Sequence, residues 1–566
     1  MGKHVFIGVL FAAVAVIFFF LGQKTHSPTG GESGISPRTV GSAEQLIGIE
    51  FAAEERDSMI DDLTDYVESY QLIRKVAIEN AVPPAFRFDP VPAGHLMGST
   101  SNRVALGPLD HVDVPGNIEE LAFWSVRDLA ELMRTRRITS TQLTEMYLDR
   151  LEKHGSTLEC VVTLTKELAL AQAARADREI ARGKYRGPLH GIPYGAKDLL
   201  AVKGYKTTWG AAPYQEQVID EDATVIKKLE EAGAVLVAKL TLGALAWGDV
   251  WFGGKTRNPW NLEQGSSGSS AGSASATAAG LVAFAIGTET WGSIVSPSTR
   301  CGTTGLRPTY GRVSRAGAMA LSWTMDKIGP ICRTVEDCAI VFDAIMGPDD
   351  TDPTVIDVGF DYDSDLQTQG LRIGFTKELF ESDYVSKTTD AATLDKLREM
   401  GIDLVPIELP DYPIASLSFV LSAEAAAAFD ELTRSNRDDL LVRQIKNAWP
   451  NVFRSSRFIP AVEYIQANRI RTMLNQAMVQ VFDDAGVDIY VAPSFGGDNL
   501  LLTNLTGHPC VVLPNGFNEE GSPVSISFIG RLYEEGKLLA LANAYQVSTD
   551  HHRKHPAGFG AEARGE

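Results

Sequence analysis

The sequence predicts an α/β fold, a central sheet covered by helices. Two observations carry this. From about residue 118, segments with helical apolar spacing alternate with short apolar runs that read as strands. The composition is that of an ordinary globular protein, 44% hydrophobic and 22% charged, which excludes collagen-like, coiled-coil and disordered chains. No internal repeat of 20 to 50 residues is visible, which argues against a solenoid. A chain of 566 residues buries a large core. Length alone gives only a soft prior of about three or four units of ~150 residues.

In chain order, Val5 to Leu21 is a run of seventeen apolar residues preceded by Lys3. It has the length of a long secretory core or a short signal anchor. Phe18-Phe19-Phe20-Leu21 leads into Gly22-Gln23, a poor cleavage site, and no cysteine follows for lipid attachment. The expectation is therefore a signal peptide or, preferably, an uncleaved anchor over 1–22. A membrane tether through residues 5–21 would place the protein, exported or membrane-anchored, on the periplasmic or extracellular side. Residues 23–41 are rich in Gly, Ser and Pro and read as a linker. Residues 42 to about 80 read as helical, with Ser42 and Gln45 in capping-box spacing, and 42–117 as an N-terminal helical extension.

In the body, Ser125-Val-Arg-Asp128 reads as a helix start, and further helices are expected over about 141–153 and 168–181. His190 to Asp198 reads as a short strand entering a loop, 224–231 as a helix and Ala234 to Ala238 as a strand. The tract Gly265 to Gly280 holds four Gly, six Ser, five Ala and one Thr. Alone, such a tract reads as a flexible linker. Its second half, Ser273 to Ala279, instead reads as a thin helix, because it runs directly into the apolar strand Leu281–Ile286. Thin helices bring backbones close enough for N–H groups to reach a substrate.

Charge and cysteines narrow the partners. There are 52 basic and 72 acidic residues, a formal net charge of −20. Such a chain repels phosphate backbones, so no nucleic-acid partner is expected. The five cysteines, at 160, 301, 332, 338 and 510, are scattered and include no C-x-x-C pair. Neither a disulfide scaffold nor a thiolate metal site is expected. Buried small hydrophobes are the favoured reading over a Cys332–Cys338 disulfide.

The strand over 281–286 runs into Gly287-Thr-Glu-Thr-Trp-Gly-Ser293-Ile294. A turn of this kind leaves several N–H groups pointing one way, and a serine at its end can attack a carbonyl whose oxyanion they hold. That serine needs a base. None of the ten histidines has a motif context, and there is no G-x-S-x-G elbow and no S-x-x-K of the penicillin-binding type. His190 and His508 read as structural. A lysine serves if burial makes it neutral. Lys197 and Lys239 both follow apolar strands, and position alone does not choose between them.

These stretches resemble the amidase signature family of serine hydrolases. The resemblance rests on Ser266-Ser-Gly-Ser269-Ser270-Ala-Gly-Ser273 with Gly280-Leu281, on Gly287 to Ile294, on Cys301-Gly302, and on Gly305-Leu-Arg-Pro-Thr-Tyr-Gly-Arg-Val-Ser314. Gly187 to Asp198, Asn258-Pro-Trp-Asn261, Asp326 to Pro330 with Thr334 to Asp337, and Asn504 to Pro509 with Pro514 to Phe517 also fit. It covers about residues 120 to 555 and implies a single large domain with a mixed central sheet, a catalytic domain over 118–556 and a tail over 557–566. It implies a Ser–Ser–Lys triad: Ser293 as nucleophile, Ser269 as the bridging serine on a cis peptide bond, and Lys197 as base. It implies an oxyanion hole of backbone N–H groups at Thr290, Trp291, Gly292 and Ser293, with no metal or organic cofactor. Trp291 stands where the family most often has Gly, and a bulky side chain there narrows or lines the acyl pocket. Ser267 and Ala271 replace two glycines, and Glu289 keeps the charge of the usual Asp.

The expected function is a serine amidase that cleaves a linear carboxylic amide, taken as a small molecule, to an acid and ammonia or an amine. The alternatives are a subunit of a glutamine-dependent amidotransferase and a non-catalytic binding protein on the same fold. Neither the acyl group nor the oligomeric state follows from the sequence.

Overall fold

In the computed structural model, residues 34–95, 101–109 and 113–560 are described. The chain divides into two compact units, Met1–Ile78 and Glu79–Glu566. The apolar run over 5–21, expected as signal peptide or anchor, lies outside the described residues. Among the described residues no helix is long and apolar enough to cross a membrane.

In the first unit the single helical stretch expected over 42–80 is two helices, Pro37–Ile47 and Ala53–Ile73. The first starts earlier than the sequence suggested. Ser36 caps it by accepting from Thr39 N, and Pro37 occupies the first turn, where its missing N–H costs nothing. Ser42 is therefore interior, and its hydroxyl donates to Arg38 O instead of capping. Gly48, at φ +69°, stops the helix. Arg56 then grips Glu44 through two hydrogen bonds of 2.8 and 2.6 Å.

The second unit is built on a mixed eleven-stranded sheet. In chain order its strands are β1 Val161–Leu164, β2 Pro193–Lys197, β3 Val235–Leu240, β4 Phe284–Glu289, β5 Thr304–Arg307, β6 Lys327–Cys332, β7 Arg372–Thr376, β8 Asp403–Ile407, β9 Ile489–Pro493, β10 Cys510–Phe517 and β11 Pro523–Gly530. Their order across the sheet is β8-β7-β9-β11-β10-β5-β6-β4-β2-β3-β1. The central strands β4, β2 and β3 are parallel neighbours, whereas β6 and β1 run antiparallel to β4 and β3 respectively. Buried on both faces, the central strands are apolar or small-residue runs, broken only near their carboxyl ends by Lys197, Lys239, Thr288 and Glu289.

The helices expected in the body are present as Val126–Arg134, Ser140–Leu158, Lys166–Ala181 and Thr224–Glu231. Ser125 caps the first by accepting from Asp128 N, as its spacing predicts. The strand expected at Leu281 begins three residues later. Gly280 sits at φ +64°, and Arg333 donates to the carbonyls of Val282 and Ala283, diverting them from the ladder.

The Gly/Ser/Ala tract forms the helix Ala271–Ala278, and every residue of it is buried. Small side chains are a geometric requirement here. A Cβ on Gly272 would lie 2.5 Å from both Cys160 O and Thr241 N, and Ser273 Oγ donates to Ile286 O at 3.0 Å. The tract is thus a packed element beside β4, and its N-terminus faces the carboxyl ends of β2 and β4. That is where parallel sheets place their ligands. All five cysteines are free and buried, so Cys332 and Cys338 form no disulfide; Cys338 Sγ donates to Thr304 O instead.

Gly272→Val drives a branched side chain into two backbone groups that cannot move apart without shifting β3. It is expected to destabilise the protein by about 1–3 kcal/mol. Thermal denaturation checks this, and an unchanged melting temperature would refute the close-packing account.

Candidate active site

Lys197 ends β2, and Ser269 and Ser270 precede the thin helix. The sheet edge and the helix N-terminus bring them together. Lys197 Nζ donates to Ser269 Oγ at 2.8 Å, to Thr288 Oγ1 at 2.8 Å, to Ser270 Oγ at 3.1 Å and to Thr288 O at 3.4 Å. The lysine is wholly buried. Burial strips water from the ammonium and lowers its pKa to about 7, against the opposing pull of Asp326 and Glu289. The Gly268–Ser269 peptide bond is cis.

Lys239, which strand position alone did not separate from Lys197, faces elsewhere. Its Nζ lies 2.7 Å from Asp198 Oδ1 and donates to Thr207 Oγ1 at 2.6 Å. A third buried lysine, Lys327, donates to Met325 O. Only Lys197 among these three donates to a serine. His190 and His508 are buried and structural. His190 Nδ1 accepts from Arg186 N, and His508 Nδ1 meets Thr506 Oγ1 at 2.8 Å. Burial pushes the His508 imidazole down to about 3, so it is neutral.

Ser293 lies in the loop between β4 and the helix Val295–Cys301, and its carbonyl accepts from Ser270 N at 3.1 Å. Two features shape this loop. Gly292 turns the chain at φ +83°, a conformation that disfavours side chains. Glu289 clamps the loop from beneath: one carboxylate oxygen accepts from Ile294 N and Val295 N at 2.8 and 2.9 Å. The other accepts from Arg307 Nη1 at 2.9 Å and Asn504 Nδ2 at 2.8 Å. Burial alone would raise this carboxyl, but Arg307 and the loop N–H groups hold it at about 2. The result is a loop whose N–H groups at 294 and 295 are occupied. Among the described hydrogen bonds, none is donated by the amide N–H of Trp291, Gly292 or Ser293. Thr290, the remaining residue expected there, donates its hydroxyl to Asp326 Oδ1 at 2.5 Å.

The structure therefore joins Lys197 to Ser269 and ties the 290–293 loop to the neighbouring Ser270 through its N–H bond to Ser293 O; no described hydrogen bond joins Ser293 Oγ to Ser269. Ser270, Thr288 and Asp326 were not singled out by sequence reasoning. Ser270 and Thr288 brace the lysine and each other, since Ser270 Oγ donates to Thr288 O at 3.0 Å. Ser270 and Asp326 stood in stretches that carry the family resemblance but were given no role there, and for Thr288 the signal was its place near the strand end. Trp291, expected to narrow the acyl pocket, is 45% exposed and does not line the neighbouring cavity of about 180 Å³, whose wall includes Thr288, Thr290 and Asp326.

The family model Amidase matches residues 142–499. A glutamyl-tRNA(Gln) amidotransferase subunit of Moorella thermoacetica is 34% identical over 487 residues, covering 77% of this chain and 99% of that relative. Its counterpart of Methylococcus capsulatus is also 34% identical, with the same coverage. Among solved structures, the native peptide amidase of Stenotrophomonas maltophilia superimposes with a TM-score of 0.68 at 30% identity, covering 76% of this chain and 98% of that chain. These findings correct the exported, membrane-anchored location and the membrane tether expected from residues 5–21. The relatives that match across almost their whole length are named for glutamyl-tRNA(Gln), not for a membrane or an exported substrate. A run of seventeen apolar residues is the shortest that spans a bilayer, so composition did not decide the matter. The matched motifs and the mixed sheet agree, and the chain belongs to the amidase signature family.

Proposed function

We propose that this protein hydrolyses a carboxylic amide through an acyl-enzyme intermediate, with Ser293 as nucleophile, Ser269 as proton bridge and Lys197 as base. One observation carries the reading: a fully buried lysine, with a pKa lowered to about 7, bonded at 2.8 Å to a serine beside the 290–293 loop. Neutral Lys197 takes the Ser269 proton as Ser269 takes that of Ser293, and Ser293 Oγ bonds to the amide carbon. The carbonyl oxygen becomes an oxyanion facing the N–H groups of residues 290–293. The proton returns by the same path to the leaving nitrogen as the C–N bond breaks. Water then repeats the sequence on the ester, releasing the acid and restoring Ser293. Asp326 and Glu289 place negative charge near the lysine, which limits how far burial lowers its pKa.

The names of the relatives favour a second reading, in which the amide is that of glutamine and the ammonia passes to an acceptor on a partner. Ammonia release from free glutamine outpacing that from simple amides would carry that reading over the first.

Four outcomes are expected. A fluorophosphonate probe labels the parent protein and not Ser293→Ala; equal labelling of both would move the nucleophile elsewhere. Because Lys197 acts as a base, kcat/KM rises with pH as the ammonium deprotonates, with a midpoint near the value of about 7. Lys197→Ala removes that limb and lowers kcat by about 10²–10⁴-fold, and parent-like turnover by this variant would overturn the assignment. Glu289→Gln leaves Arg307 buried without its counter-charge and loosens the nucleophile loop. It is expected to cost about 3–5 kcal/mol of stability, read by thermal denaturation, and to slow probe labelling.

A further inference from the structure

The segment that precedes the matched family region forms part of the wall of the cavity beside the candidate site. Residues 79–91 run across the second unit as a strap, pinned at three points. Asn80 pairs with the backbone of Ala320 in both directions, accepting from Ala320 N at 2.7 Å and donating to Ala320 O at 2.9 Å. Phe88 lies edge-on to Tyr310 at 5.3 Å, with the Arg471 guanidinium 3.6 Å above its ring. Pro90 O accepts from Asn475 Nδ2. Between the first and second pins, Ala81 and Pro83 line the 180 Å³ cavity, whose wall also includes Thr288 and Thr290.

The rest of the wall says what fits. Leu199, Met319, Leu321 and Ile328 make it largely apolar. Its cations are already taken: Arg315 Nε donates to Asp352 at 2.8 Å, and Lys327 donates to Met325 O. Asp326 is occupied by Thr290 and by the N–H groups of Leu321 and Ser322. Among the described residues of this wall, no uncommitted positive charge awaits a carboxylate. An apolar cavity of ~150 Å³ holds a benzene ring, so one of about 180 Å³ has room for a group of phenyl size.

Resting on the amide-hydrolase reading above, we propose that the cavity takes an uncharged apolar group of about phenyl size from the amide substrate, and that the strap residues Asn80, Ala81 and Pro83 set its far limit. Specificity would then depend on a segment outside the region shared with the family. The strap also reaches the chemistry through the wall: Ala320, which Asn80 holds, adjoins Leu321, whose N–H donates to Asp326, which in turn holds Thr290.

The test uses the full chain with phenylacetamide, which carries the ring on the acyl side, acetanilide, which carries it on the amine side, and acetamide as the small reference. Ala81→Phe fills the cavity, and Ala81→Leu is a milder filling should the first variant fold poorly. Filling is expected to lower the kcat/KM ratio of one ring-bearing amide over acetamide by at least about tenfold, within the range hydrophobic pockets achieve. Which amide responds identifies the side of the bond that the cavity serves. Binding is read separately from turnover by 19F line broadening of the para-fluoro derivatives on the Ser293→Ala protein, with and without the filling. Broadening that the filling abolishes supports the pocket even if the parent turns over no amide, an outcome that would sink only the hydrolase reading. Equal broadening with the filled cavity, no broadening at all, or unchanged ratios in a folded variant would overturn the proposal.

Discussion

The site depends on one constraint: an amino group with no water around it. An isolated ammonium moved into a low-dielectric interior costs far more than a protein's net stability, so the group sheds its proton or is paired. Lys239 follows the second course against Asp198. Lys197 has hydroxyls and a carbonyl for neighbours and no carboxylate within bonding distance, so burial lowers its pKa to about 7. Two lysines at the ends of adjacent parallel strands, both lowered in pKa by burial, thus differ in what faces them: a carboxylate for Lys239, and hydroxyls for the candidate base Lys197.

Keeping such a group satisfied demands close approach from several elements. Ser269 and Ser270 arrive on a helix so thin that backbone meets backbone, and Thr288 arrives on β4. Gly287, the residue before Thr288, has no room for a Cβ, which would lie 2.8 Å from Ser270 Oγ. The glycine therefore permits the contact through which Ser270 bridges the lysine and the strand. Beyond the strand end, Glu289 takes up the N–H groups of Ile294 and Val295, while those of 291–293 make no described hydrogen bond. A single buried carboxylate, balanced by Arg307, thereby decides which N–H groups of this loop are already taken.

The same network extends outward. Asp326 joins Thr290 to the backbone of Leu321 and Ser322, and Glu424 fixes that stretch from the other side through Ser322 and Thr324. The cavity wall and the 290–293 loop are therefore one hydrogen-bonded body, and the strap is attached to it at Ala320.

Much of this was legible in the sequence, for identifiable reasons. Alternating helical and strand patterns predict the α/β layering because periodicity reports which face is buried. The run of small residues over 265–280 predicts a packed thin helix because no charge or proline interrupts it before the strand. Ser269, Ser293 and the 290–293 loop are local features of that run and its sequel. The helix start at Ser125 is likewise local, whereas that at Ser36 was misplaced to Ser42 because capping spacing recurs by chance. Strand position by itself left open the choice between Lys197 and Lys239, which the family resemblance made for Lys197, since both lie at buried strand ends and only the tertiary structure sets what each one faces. The bracing by Ser270, Thr288 and Asp326, the clamp from Glu289 to Arg307 and Asn504, and the strap's place in the cavity wall were also invisible. Each joins residues far apart in the chain, and burial, which lowers the pKa of Lys197 and makes Glu289 a clamp, is a property of the folded chain alone.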